Sequence, residues 1–389
     1  MIQLSEQNCC GCSACANICP RHAISMKRDH KGFQYPEINF DLCVNCGKCE
    51  QICPFHNQFS ISQNKKPLTQ YIARSKNAET LRASSSGGLF TELSDEILRS
   101  GGVVYGAGFD RESRIIHQRA QNVEQRNRLR GSKYVQSDMA YSFGKLADDL
   151  NAGGTVLFTG TPCQTAAVYS YCKMKHICMD NLFLCDVICH GVTSPMVWEK
   201  YVSFIKKNYC GDEIQSVNFR DKAFGSGYNM TIKGSKGVYH KDDTIDPFIK
   251  IFTRNYAMRL SCNNCPMKKE DRMSDITIGD FQNERKYFPE YDDGKGISVV
   301  LINTEKGHSL FQAIRNHLDY KLCSFEQAKQ INLYAQIPPS PKSAAFYQDV
   351  EKKSFERVLR KYTEQGLLNH LYGSSKRLAK KVIYGVLKK

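Results

Sequence analysis

The sequence predicts a small cysteine-rich N-terminal module followed by a mixed α/β domain whose second part is antiparallel and rich in β-strand. The class is therefore α+β joined to α/β. Three observations carry this. A four-cysteine pattern occurs twice within the first 53 residues. Strand-like and helix-like stretches then alternate from 71 to 210, and from 214 short strand-like runs follow one another directly. At 389 residues, 41% hydrophobic and 24% charged, the chain has material for about two or three ordinary globular domains.

The first pattern is Cys9-x2-Cys12-x2-Cys15-x3-Cys19-Pro20, and it recurs as Cys43-x2-Cys46-x2-Cys49-x3-Cys53-Pro54. Cysteines at i, i+3 and i+6 wrap one tight loop around three corners of a [4Fe-4S] cube. The fourth, followed by a proline, reaches the neighbouring cube. One cluster is thereby assigned to Cys9, Cys12, Cys15 and Cys53, the other to Cys43, Cys46, Cys49 and Cys19. Zinc, the competing metal, needs only two Cys-x2-Cys pairs and leaves the middle cysteines and both prolines unexplained. Cys10 fits no ligand position and reads as a small buried hydrophobe. Residues 1 to 60 resemble a bacterial two-cluster ferredoxin, in which Ala23–Met26 and Gly32–Pro36 are the strands of a short hairpin.

Eighteen cysteines, half of them in the first 53 residues at close spacings, favour metal ligation over a disulfide scaffold. No charged and apolar leader precedes Cys9, and no run approaches a membrane-spanning length, so a reducing cytoplasm is expected. The formal charge of +15 is concentrated at the end, where residues 350–389 carry eleven Lys/Arg against three Glu. There Leu378, Val382, Ile383, Val386 and Leu387 follow helical spacing among Lys376, Arg377, Lys380 and Lys381. This suits a solvated basic tail, a helix docked on protein, or contact with an anionic membrane at its inner face. Nothing in the pattern suggests nucleic-acid binding.

The remaining elements follow in order. Polar residues 57–70 read as a linker, and Tyr71–Arg74 as a strand. A helix is predicted over 84–102, capped by Ser86 and ended by Gly101-Gly102, with Leu89, Leu93 and Ile97 on one face. Strands are expected at 103–109, 115–120, 155–160 and 182–191, with helices at 139–151, after Thr161 and at 194–210. Past a boundary near 211, strands are expected over 214–220, 229–235, 237–243, 275–281 and 297–304, then a helix near 307–317. This divides the chain into 1–60, 65–210, 211–325 and a helical basic segment 326–389.

Three downstream constellations bear chemistry. Gly160-Thr161-Pro162-Cys163-Gln164 marks a strand end and a helix start, where free backbone N–H groups bind anions. There Cys163 is a low-pKa nucleophile, a cluster ligand or a small buried residue. Cys185-x3-Cys189-His190 ends another strand, and Cys262-x2-Cys265-Pro266 follows later. Together Cys163, Cys189, Cys262 and Cys265 make a candidate third [4Fe-4S] site, with zinc or no metal as alternatives.

SSSGGLF (84–90), GSKYVQS (131–137), GTPCQ (160–164), CHGVTSP (189–195), FRDK (219–222) and SCNNCP through DITIGDF (261–281) occur in this order. In these motifs residues 65–320 resemble the beta-subunit family of coenzyme F420-reducing hydrogenase and F420-dependent dehydrogenases. That resemblance implies an α/β flavoprotein binding FAD, with a further [4Fe-4S] cluster beside it. It places Ser85, Ser86, Gly87, Gly88 and Lys133 along the flavin, and Gly160, Thr161 and Gln164 against flavin or cluster. Arg220 and Lys222 would belong to the active face. Lys133, His190, Arg220 and Lys222 are the candidate catalytic groups, each with a plainer structural or solvated role as alternative. Where the family often has an aromatic-glycine pair after GDF, this chain has Gln282-Asn283. The expected function is an iron-sulfur flavoprotein oxidoreductase exchanging hydride with F420 or another small organic substrate and electrons with a redox partner protein. The alternative is a non-catalytic electron-transfer subunit, for example in cell-surface polysaccharide synthesis.

Overall fold

The computed structural model describes residues 5–56, 67–139 and 142–363. The N-terminal module contains two short helices, Ala14–Ile18 and Lys48–Ile52, one for each copy of the cysteine pattern. Between them lies an antiparallel hairpin of β1 (Ile24–Arg28) and β2 (Gln34–Ile38). The repeat extends beyond the thiols. Ile18 and Ile52, each just before the fourth cysteine, are 4% and 0% exposed. Both helices pack on the Pro162–Met174 helix of the following domain.

That domain is built on an eight-stranded mixed sheet. In chain order its strands and those of a small meander are β3 (Thr69–Ser75), β4 (Val103–Phe109), β5 (Ile115–Ala120), β6 (Val156–Gly160) and β7 (Leu182–Val187). They continue as β8 (Ile214–Asn218), β9 (Asn229–Gly234), β10 (Val238–Asp242), β11 (Ile276–Asp280), β12 (Ser298–Ile302) and β13 (Leu318–Leu322). The large sheet has the order β13-β3-β12-β11-β7-β6-β4-β5. Its centre, β4, β6, β7 and β11, is parallel; β5 on one side and β12, β3 and β13 on the other are antiparallel. Strand alternation supplies both core layers. Val103, Tyr105, Val156, Phe158, Leu182 and Leu184 face the helices Ser142–Asn151 and Pro162–Met174 and the N-terminal module. Val104, Leu157, Cys185 and Ile276 face Leu89–Arg99 and Glu305–Ile314.

The meander β8–β9–β10 is antiparallel and packs Phe219, Met230 and Ile232 against Trp198, Tyr201 and Phe248. It does not open a separate second half. β11, β12 and β13 return to the large sheet, which therefore draws strands from both sides of residue 211. The whole 188–275 stretch is one crossover between the parallel neighbours β7 and β11.

Helix ends also differ from expectation. The first long helix begins at Leu89, with Gly88 at its N-cap in the left-handed region, φ +87°. Ser86 does not cap it; its hydroxyl donates to Ile297 O at 3.0 Å. Gly87 explains the delay. A Cβ there would stand 2.4 Å from Ala73 O and 2.7 Å from Ser298 N, so the chain must pass flat against β3 and β12 before turning. The predicted 194–210 helix is regular only over Pro195–Ile205 and closes in a wider turn, Lys206–Cys210. Helices Ser343–Lys352 and Phe355–Thr363 cover Val197, Ile251 and Tyr256. The basic helix predicted around Leu378–Leu387 lies outside the described residues. Among those residues no helix is long and apolar enough to cross a membrane.

Candidate functional site

In an open α/β sheet, ligands bind outside the carboxyl ends of the parallel strands. Here a cavity of about 300 Å³ lies at those ends, against Thr159 and Gly160 of β6, Val187 of β7 and Gly279 and Asp280 of β11. The size suits a small-molecule or cofactor site. Of the sequence candidates, Ser85, Ser86, Gly88, Lys133, Gly160, Thr161, Gln164 and His190 line it. Gly87 stands behind the wall, its N–H donating to Ser298 Oγ at 2.9 Å.

Lys133 is turned inward. Its ammonium donates to Leu129 O at 2.8 Å and Arg130 O at 2.9 Å, and burial lowers its pKa to about 7. Arg220 and Lys222 are not in the lining. Arg220 pairs with Asp280, whose side chain does line the cavity, and lies 5.6 Å from the Tyr228 ring. Lys222 donates to Leu81 O at 2.8 Å, Lys295 O at 2.6 Å and Ser86 O, tying the short helix Ala78–Arg82 to the Ser86 and Lys295 loops behind the Ser84–Ser86 wall. Burial brings it down to about 8. His190 lies between Asn255 Oδ1 at 2.8 Å and Asn332 Oδ1 at 3.2 Å.

The sequence reading missed His117. It lines the cavity in a buried hydrogen-bonded chain. Gln164 Nε2 donates to Ser137 Oγ at 2.8 Å, Ser137 Oγ meets His117 Nδ1 at 3.0 Å, and His117 Nε2 meets Thr159 O at 3.1 Å. The carbonyl partner places the proton on Nε2 and leaves Nδ1 to accept from Ser137. Burial pulls the imidazole down to about 4, so it is neutral at physiological pH. A lone histidine in a strand-like run gives no spacing signal, and only the fold brings it to Gln164.

A second cavity, about 40 Å³, adjoins the first along Thr161, Gln164, Cys189 and His190. Cys163, Cys189, Cys262 and Cys265 all line it. Each is placed differently. Cys163 sits in the first turn of a helix set by Pro162 and a Thr161–Gln164 capping box. Cys189 lies just past β7, and Cys262 and Cys265 lie on the turn that follows Arg259. The Cys163 thiol is brought down to about 7, first by its hydrogen bond with Cys10 and further by Thr161 and the charge of Arg259, against burial. Burial pushes Cys262 up to about 11 and Cys265 to about 12.

In the N-terminal module Cys9, Cys12, Cys15 and Cys53 surround one small cavity, and Cys19, Cys43, Cys46 and Cys49 another. The fourth cysteine of each run is thus exchanged between the two. Cys10 is buried, yet it is more than a small hydrophobe. It lines both the Cys9 cavity and the Cys163 cavity, with its thiol against Cys12 on one side and Cys163 on the other. Among the described residues no three His, Cys, Asp or Glu side chains converge on a point suited to one metal ion. The thiols ring cavities instead. Such a ring suits a cube taking one thiolate at each iron.

The sheet, the cavity at its parallel strand ends and the ringed cysteines set a small-molecule pocket beside groups of four thiols suited to iron-sulfur clusters. The comparisons make this specific. Residues 8–57 match the 4Fe-4S dicluster domain, and residues 153–328 match the family described as the C terminus of the coenzyme F420 hydrogenase/dehydrogenase beta subunit. The chain joins these two domains, as its motifs indicated. The F420-dependent formate dehydrogenase subunit beta of Methanocaldococcus jannaschii is 22% identical over 172 residues, 44% of this chain and 39% of that relative. The match therefore spans about two fifths of the relative's length. A chain of the F420-reducing [NiFe] hydrogenase complex from Methanosarcina barkeri, solved as a xenon derivative, aligns over 77% of this chain and 89% of its own. Its TM-score is 0.44, at 17% identity.

Proposed function

We propose that this chain is an iron-sulfur flavoprotein oxidoreductase that passes electrons between a flavin in the 300 Å³ cavity and three [4Fe-4S] clusters. One observation carries the reading. The cavities form a continuous series, the large one sharing Cys189 and His190 with the Cys163 site, and that site sharing Cys10 with the Cys9 site. A bound flavin would supply the exchange between two-electron chemistry with an organic substrate and one-electron traffic, which clusters alone cannot provide.

The chain's own residues suit this. Ser85 and Ser86 offer hydroxyls at one wall, and Lys133 offers a cation below about pH 7 to an anionic group. The Gln164–Ser137–His117 chain fixes a neutral polar edge. The Arg220–Asp280 pair presents a held carboxylate at the cavity margin. Cys46, exposed at the far end, marks where a redox partner would meet the outer cluster. The substrate would be F420 or another organic hydride carrier. A cytoplasmic setting would keep the thiols reduced. The competing reading remains a non-catalytic subunit that feeds electrons to a partner enzyme.

Anaerobic purification with iron, sulfide and flavin analysis tests the proposal. About twelve irons with one flavin per chain supports it, and about eight irons without flavin favours the electron-transfer subunit. Stoichiometric zinc without inorganic sulfide overturns the cluster assignment. Assays with reduced F420, NAD(P)H and reduced ferredoxin then identify the donor.

A further inference from the structure

Among the described residues three side-chain guanidinium groups are almost completely buried, and they differ in one respect. Arg126 faces Asp95 at 2.8 Å, and Arg272 faces Asp186 at 3.8 Å. Arg259, 0% exposed, has no carboxylate partner among the described residues. Its hydrogen bonds to oxygen among those residues go to neutral groups: Nε to Cys9 O at 2.7 Å, Nη1 to Gln136 Oε1 at 2.9 Å and Nη2 to Gln34 O at 3.0 Å. The rings of Phe33 and Tyr35 lie 5.2 and 4.4 Å away. Burying a cation without a counter-charge is strongly unfavourable, so the balancing charge must come from the neighbouring thiols once ionised, among them Cys9, Cys10 and Cys262, or from what those thiols hold.

Its position shows what that is. Arg259 lines the Cys163 cavity, three residues before Cys262, while its Nε holds the carbonyl of Cys9 in the first N-terminal loop. Gln136, its partner, donates onward to Cys10 O at 2.8 Å. The loop is pressed so closely that a Cβ on Gly11 would stand 2.8 Å from Arg259 Nη1. The guanidinium charge acts on Cys9 and Cys12 of one site and on Cys163 and Cys262 of the other. It does not line the cavity of Cys19, Cys43, Cys46 and Cys49. A cube with four thiolates is an anion and gains one more negative charge when it accepts an electron. Nearby charge is therefore a main determinant of its reduction potential.

We propose that Arg259 is the shared counter-charge of the two cluster sites that meet at Cys10, and that it raises the reduction potential of both while leaving the outer cluster unchanged. The inference rests on the three-cluster reading above. Arg259 acts through its field, as a positioning and tuning residue, and forms no bond to iron or substrate.

The test is a redox titration of the full anaerobic chain followed by electron paramagnetic resonance, which resolves the clusters by their signals. In Arg259→Met two midpoint potentials shift to more negative values and the third stays in place. Arg259→Lys, which keeps the charge, recovers most of the shift. Gln136→Glu keeps Arg259 but sets a carboxylate against it; the same two potentials fall, which covers the case in which Arg259→Met does not assemble. Unmoved potentials, an equal shift of all three, or a Lys variant shifted as far as the Met variant overturns the proposal. If the wild-type chain holds only about eight irons, the three-cluster reading fails first and this proposal falls with it. With all three clusters present, unmoved potentials remove only the role of Arg259.

Discussion

The chain gathers four cysteines in two contrasting ways. In residues 9–53 the thiols of each site come from one tight loop and one exchanged partner, and their spacing is written directly into the chain. In the Cys163 site they come from a helix start after β6, the end of β7 and a turn about seventy residues further on, held together by the sheet. A local site survives wherever its loop can form. A convergent site exists only when the parallel strands are in register, so its integrity reports on the whole domain.

Substitutions can sharpen or break that comparison, and the largest effect is expected at the convergent site. On the function proposed above, Cys262→Ser should remove about four of twelve irons and stop reduction of the N-terminal clusters when bound flavin is photoreduced. It should also lower the thermal unfolding temperature of the α/β domain. Iron analysis and calorimetry check this; full iron content with normal cluster reduction would falsify the convergent site. Cys46→Ser should also cost about four irons but leave flavin content and domain stability unchanged, because Cys46 is at the exposed periphery. Only reduction of external one-electron acceptors should fail.

A smaller effect belongs to Lys133. Its pKa is lowered to about 7, so it is charged below that pH and neutral above. On the flavin reading proposed above, FAD affinity, followed by fluorescence quenching, should weaken about tenfold as pH rises from 6 to 8, a loss of about 1.4 kcal/mol. Lys133→Met should bind weakly at both pH values; a variant with the wild-type profile would show that another group titrates. The smallest effect is expected at Ser194, which is 0% exposed. Its hydroxyl accepts from Val197 N at 3.1 Å and donates to Lys31 O, joining a helix cap in the α/β domain to the N-terminal module. Ser194→Ala should cost about 1 kcal/mol, measured as a modest drop in unfolding temperature with all clusters retained.

Much of the architecture was legible because it depends on local periodicity. The parallel core β4, β6, β7 and β11 falls on the apolar runs read from the chain, and the hairpin between the cysteine runs lies where Ile24 and Tyr35 suggested. The helix start at Leu89 was not legible. Ser86 looks like a cap, but Gly87 is committed to passing β3 and β12, a contact with strands far away in the chain. Lys133 was assigned to the site from its motif, but not the way its ammonium folds back on the carbonyls of Leu129 and Arg130, four and three residues before it, which only the loop conformation sets. Arg220 and Lys222 were grouped as one active face, whereas the first stands behind Asp280 and Tyr228 of the lining and the second holds backbone carbonyls behind the wall.

The sequence alone determined the paired cysteine runs, the crossing of their fourth cysteines and the alternation of strands and helices, because each follows from spacing along a short stretch. The tertiary structure decided which groups share a wall. It carried β11–β13 back into the large sheet, brought Cys163, Cys189, Cys262 and Cys265 around one cavity, and set His117 beside Gln164. It also changed the standing of Cys10 and Arg259. In the sequence the first is a surplus cysteine and the second an ordinary arginine. Folded together they occupy the junction between two cysteine-lined cavities, where a buried charge acts over the few ångströms that only packing can set.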